Sequence, residues 1–209
     1  MSHTRKARLG VLLSGRGSNF VAIADAIQTG KLTGCEIVAV LSNIADAPGV
    51  ATARERGLHT EVHVSKDVPR PEHDQKMIDA LHMADVDFVI LAGYMRLLSP
   101  EFIRAFPERI LNIHPSLLPA FPGLHAQKQA LDYGTKVTGC TVHFVDEVMD
   151  HGVIILQHMV NVEDGDDESA LSARILEQEH LAYPEAIARV LSGEYQIHER
   201  RYIRRTNKA

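Results

Sequence analysis

Apolar stretches with no polar alternation recur along the first half of the chain, separated by segments whose apolar residues fall at helical spacing. Residues 9–13 read as a buried strand, and Phe20, Ile23, Ala24 and Ile27 then line one face of a helix that Gly30 ends. Residues 36–41 form a second strand run, followed by a helix over 50–56 that stops at Gly57. A short strand over 60–64, a helix over 72–83 and a fully apolar strand over 88–92 come next. A short helix over 100–106 then leads into a fifth strand over 110–113. Unalternated strands separated by helices predict a mostly parallel sheet covered on both faces, a Rossmann-like α/β arrangement.

The second half changes character. A short helix is predicted over 127–133, and strands over 139–145 and 153–157 flank an acidic turn at 146–152. So short a connection allows only a hairpin, which makes these two strands antiparallel to each other. Residues 168–191 read as one long helical segment, bent or broken at Pro184. With no repeat, low-complexity tract or linker, residues 1–209 read as a single domain. Its core spans about 8–198, with a polar N-terminal segment and a basic C-terminal tail. That tail, carrying Arg200, Arg201, Arg204 and Arg205, reads as a solvated, mobile run.

Composition narrows the class without choosing a function. The chain has 209 residues, a net charge of -5 and 23% charged residues, which argues against a general nucleic-acid binder. No apolar run approaches the roughly 18 to 20 residues of a membrane span, and residues 1–8 lack the apolar segment of a secretory signal. Cys35 and Cys140 lie in apolar strand runs and form no CxxC pair, so reduced, buried thiols in a cytoplasmic protein are expected. Twelve histidines without an HExxH pattern give no case for a metal.

Candidate chemistry begins where the fifth strand ends, in Asn112-Ile113-His114-Pro115-Ser116-Leu117-Leu118-Pro119. Side chains two apart leave a strand on the same face, so Asn112 and His114 can converge on one small group. An uncharged donor beside a titratable ring suits acyl or formyl transfer, one steadying an oxyanion and the other handling a proton. A capping Asn and a surface His before a turn is the plainer alternative. Ser14-Gly15-Arg16-Gly17-Ser18-Asn19 follows the first strand and opens the first helix, where free N–H groups favour an anion. The second strand ends in Leu41-Ser42-Asn43 with no acid to hold a ribose, so the loop suits a phosphate monoester better than NAD. A tight turn capped by Ser18 or Asn19 would give the same sequence. Asp150, in the late hairpin turn, could orient the His114 ring, although most such aspartates only satisfy local backbone.

Six ordered blocks carry a family resemblance. Gly15-Arg16-Gly17-Ser18-Asn19, Ala92-Gly93-Tyr94-Met95-Arg96, the Asn112 to Pro119 run, Pro122-Gly123-Leu124-His125, Thr138 to Val145 and Asp150-His151-Gly152 occur in this order. Over roughly residues 8–198 the chain resembles the phosphoribosylglycinamide formyltransferases, folate-dependent enzymes of purine synthesis. The resemblance implies transfer of a formyl group from 10-formyltetrahydrofolate to glycinamide ribonucleotide. It carries the catalytic roles to Asn112, His114 and Asp150. Ribonucleotide binding falls on Gly17, Ser18, Asn19 and Glu179. Folate contacts fall on Arg70, on Met95, Arg96, Leu97 and Leu98, on Asn112, and on Asp146, Glu147, Val148, Met149 and Asp150. One departure is Val153, where many relatives carry proline.

The resemblance implies neither metal nor nicotinamide, no nucleic-acid or membrane partner, and leaves a homodimer open. Three alternatives remain. A 10-formyltetrahydrofolate hydrolase would carry a regulatory domain before the first strand, and a methionyl-tRNA formyltransferase would add a basic C-terminal domain. A non-catalytic module sensing a phosphorylated metabolite would need the glycine loop but not all three polar side chains.

Overall fold

The first strand, β1 (Ala7–Leu13), is lined on both sides by parallel neighbours, which explains why its sequence has no polar alternation. The computed structural model describes residues 5–205. Helix α1 (Ser18–Gln28) returns the chain to β2 (Cys35–Ser42), and α2 (Pro48–Glu55) to β3 (Thr60–Val62), two residues shorter than the apolar pattern suggested. From β3 the chain crosses back through α3 (Arg70–Met83) to β4 (Phe88–Leu91) on the opposite side of β1. Crossovers between parallel strands are right-handed, so this reversal puts α1 and α2 on one face and α3 on the other. Gly10 records how closely α3 approaches, since a Cβ there would lie 2.5 Å from Leu81 Cδ2.

The chain divides into two compact units, residues 1–111 and 112–209. In the first, α4 (Pro100–Ala105) is capped by Ser99 and precedes β5 (Ile110–His114), which runs across the boundary. In the second, α5 (Ala126–Tyr133) leads to β6 (Val137–Phe144) and β7 (Ile154–Asn161), paired antiparallel as the short turn required. The strand order is β3-β2-β1-β4-β5-β6-β7. The sheet is mostly parallel, as the strand pattern predicted.

Two expectations change. Helix α6 (Glu168–Leu191) is not broken but runs continuously, with Pro184 inside it. A proline there removes one main-chain bond, but Ala182, Tyr183, Ala186 and Ile187 are all buried on either side, and their packing outweighs that loss. The basic segment is not a loose tail: β8 (Tyr195–His198) and β9 (Arg201–Arg204) form an antiparallel hairpin. Its strands are four residues each, and the arginines masked a weak alternation of half-buried Tyr195, Ile197, Tyr202 and Ile203. Both cysteines are free and buried, and no helix among the described residues is long and apolar enough to cross a membrane.

Candidate active site

In the second unit, β5 delivers His114 into a nearly sealed position, 5% exposed. Its Nε2–H donates to the Phe121 carbonyl at 2.9 Å, while Nδ1 lies 3.4 Å from Asp150 Oδ2. A ring carrying both protons would therefore find an acceptor at each nitrogen. Asp150 has a left-handed backbone, φ 52°, which Asp tolerates better than most residues. The Gly123 N–H donates to Asp150 Oδ2 at 2.8 Å, holding the carboxylate against the ring. Asp150 is therefore not confined to local turn bonds.

The third polar group is fixed by a histidine to which the sequence reading gave no particular role. His143, 2% exposed on β6, has Nδ1 2.8 Å from the Phe144 carbonyl, so Nδ1 carries the hydrogen and Nε2 must accept. Its acceptor nitrogen takes a hydrogen bond from Asn112 Nδ2 at 3.3 Å and stands 3.9 Å from Asp150 Oδ1. That orients the Asn112 amide and leaves its second N–H for another partner. The signal was a polar residue inside the buried run of β6, but its partner depended on register. Thr141, two residues earlier, accepts from Leu118 N and donates to the Ser116 carbonyl, tying the proline loop after His114 to β6.

Burial lowers the His143 pKa from its ordinary 6.5, and burial acts on His180 in the same direction. As pH falls, the unfolded chain takes up these protons first, so the stability they contribute is full above 6.5 and is lost below it. A His143→Gln variant should flatten this acid limb by up to one proton, ~1.4 kcal/mol per pH unit. Urea unfolding of both proteins between about pH 5 and pH 7.5 measures it, the limb lying below the ordinary histidine value.

In the first unit, the glycine loop follows β1 at the point where strand order reverses, the usual ligand position in open α/β sheets. Gly17 is the α1 N-cap with φ 72°, and no side chain caps the helix. The capped-turn alternative therefore does not hold, and the amides of Ser18 and Asn19 open a helix N-terminus suited to an anion. A relay that sequence reading missed joins this loop to its neighbours. Ser14 Oγ accepts from Met95 N and donates to Asn43 Oδ1, and Asn43 Nδ2 donates to Ser65 Oγ. Arg96 donates to the Ser65 and Val68 carbonyls, so its side chain is engaged with backbone. Met95 and Leu97 are 77% and 52% exposed, and Leu98 is half-buried. Arg70 is exposed at the first residue of α3.

The remaining candidates lie in the second unit. Glu179 is buried on α6. In the β6–β7 loop, Asp146 accepts from Val148 N and from His151 Nδ1, while Glu147, Val148 and Met149 are exposed. His125 is the exposed N-cap of α5, 4.0 Å from Glu168. Among the described residues no group of three or more His, Cys, Asp or Glu is placed to hold a metal ion.

Comparison with known proteins gives this geometry its context. The formyl transferase family model matches residues 7–187. The phosphoribosylglycinamide formyltransferase of Escherichia coli is 45% identical over 90% of this chain and 89% of its own length. The trifunctional purine biosynthetic protein adenosine-3 of Drosophila pseudoobscura pseudoobscura is 48% identical over 92% of this chain, which spans only 14% of that protein. The crystal structure of glycinamide ribonucleotide transformylase 1 from Symbiobacterium toebii superposes with a TM-score of 0.92 at 46% identity, covering 95% of this chain and 94% of the other. A single family model running through both units, with full-length relatives at this identity, shows that the chain belongs to the formyl transferase family.

Proposed function

We propose that this protein transfers the formyl group of 10-formyltetrahydrofolate to the amino group of 5-phosphoribosylglycinamide, in de novo purine (IMP) biosynthesis in the cytoplasm. The observation that carries the reading is the cluster of Asn112, His114 and Asp150 in a chain of the formyl transferase family. The substrate amine attacks the formyl carbon, forming a C–N bond and a tetrahedral species with a developing oxyanion. The free Asn112 N–H donates to that oxygen, His114 Nε2–H joins it by exchanging its bond to the Phe121 carbonyl, and Asp150 orients the ring from Nδ1. The amine proton passes to the folate nitrogen as the old C–N bond breaks, through His114 or an ordered water.

The ribonucleotide phosphate sits at the α1 N-terminus on Gly17, Ser18 and Asn19, with Glu179 touching the same substrate. Folate is held by Arg70, by Met95 to Leu98, by Asn112 and by loop residues 146–150. Exposed Met95, Leu97, Val148 and Met149 suit the apolar faces of such a ligand. The two units act as one formyltransferase domain, a reading supported by a family model that crosses their boundary.

The test is an assay with both substrates beside a control lacking the ribonucleotide. Formyl transfer should need the amine, with release of tetrahydrofolate at least about a hundredfold slower in water alone, since an oriented nucleophile outcompetes bulk solvent. Equal rates in both would assign a hydrolase instead. No turnover with retained ribonucleotide binding would favour the sensor.

A further inference from the structure

The C-terminal hairpin makes contacts that its solvated, charged sequence does not announce. Arg200, in the turn between β8 and β9, donates through Nη2 to the His151 carbonyl at 2.6 Å and through Nη1 to His151 Nε2 at 2.9 Å. A guanidinium can only donate, so Nε2 accepts and the ring hydrogen sits on Nδ1, which donates to Asp146 Oδ2 at 2.8 Å. One chain of bonds therefore runs from the hairpin through His151 to the start of the loop. A second contact reaches the strand before the loop: Tyr202 meets Phe144 edge-on, with ring centroids 5.5 Å apart. The hairpin is itself seated, since Tyr195 stacks on Tyr202 at 5.3 Å and Arg189 of α6 covers the Tyr195 ring.

We infer that Arg200 is a positioning residue, and that the C-terminal hairpin braces the loop carrying Asp150. His151 is the next residue after Asp150, so a grip on its ring and carbonyl limits how far the carboxylate can drift from His114. The 3.4 Å separation of that pair depends on a backbone held in the left-handed region at Asp150. Exposed Val148 and Met149 stay free to meet a ligand while the two ends of the loop are tied. The inference rests on the proposed function for its kinetic consequence, but the brace has a readout of its own.

The experiment compares the intact protein with Arg200→Ala, Arg200→Lys, Arg201→Ala and Asp150→Asn, measuring steady-state kinetics and amide hydrogen exchange. Arg200→Ala should lower kcat/KM for 10-formyltetrahydrofolate about tenfold, the scale of one hydrogen bond from a charged donor. The KM for the ribonucleotide and the thermal midpoint should hold, and exchange should quicken in residues 146–152. Lysine, which can reach the carbonyl but not both acceptors, should fall between. Arg201→Ala removes the same charge from the same hairpin and should match the intact protein. Unchanged exchange and kinetics in Arg200→Ala, with Asp150→Asn inactive, would overturn the brace. An intact protein without formyl transfer would overturn the functional reading, leaving exchange to decide the brace alone.

Discussion

Asp150→Asn and His114→Gln should each lower kcat by about two to three powers of ten, the range observed when one oxyanion-stabilising donor is removed. Asparagine is the informative replacement at 150 because the backbone there is left-handed, φ 52°, a conformation Asn shares with Asp and Ala does not. Its amide oxygen can still accept from Gly123 N, so the loop keeps its closest tie. What disappears is the negative charge facing His114 Nδ1. Glutamine at 114 keeps a donor for the Phe121 carbonyl while removing the ring that moves the proton. Initial rates of tetrahydrofolate release measure the loss, with the urea midpoint recorded for each variant. Rates within a factor of about three of the intact enzyme, at unchanged stability, would remove both residues from the chemistry, since the expected loss is far larger.

Gly139→Ala should be strongly destabilising in the second unit. A Cβ at 139 would lie 1.9 Å from the His158 carbonyl oxygen and 2.9 Å from Leu117 Cδ2. The oxygen belongs to β7, which is laddered to β6 over its whole length, so neither strand can step aside alone. Separating them costs several hydrogen bonds, and the expected loss is about 4 kcal/mol or more. Urea unfolding gives the value directly. Gly165→Ala is the matched comparison: nothing lies within 4 Å of its Cβ position, and its change should stay within about 0.5 kcal/mol. Similar midpoints for the two would mean that the β6–β7 ladder yields more easily than its register implies.

These two sites differ in how far the sequence disclosed them. A glycine inside the buried run of β6 already signals a close backbone approach, and the parallel strands declared themselves through uninterrupted apolar residues. That Asn112 and His114 leave β5 on one face followed from strand geometry alone. Asp150 was less legible: 36 residues separate it from His114, so a role in orienting the ring stood beside a local turn role until the family resemblance favoured the first. His143 was harder still, since its role depends on a neighbouring carbonyl that fixes its tautomer. Pro184 misled because tertiary burial of Tyr183 and Ile187 overrides a local breaking tendency. The last hairpin was hidden by its own arginines, whose contacts with His151 and Glu194 are set by packing rather than by periodicity.

Cys35 and Cys140 fall one in each compact unit, and burial pushes their thiols up to about 11 and about 12. Held so far from the thiolate form, neither reacts with an alkylating reagent until its own strand is exposed. The rate at which each sulfur becomes labelled in native buffer is therefore a local clock. With no added probe, this chain reports separately on how often either half comes undone.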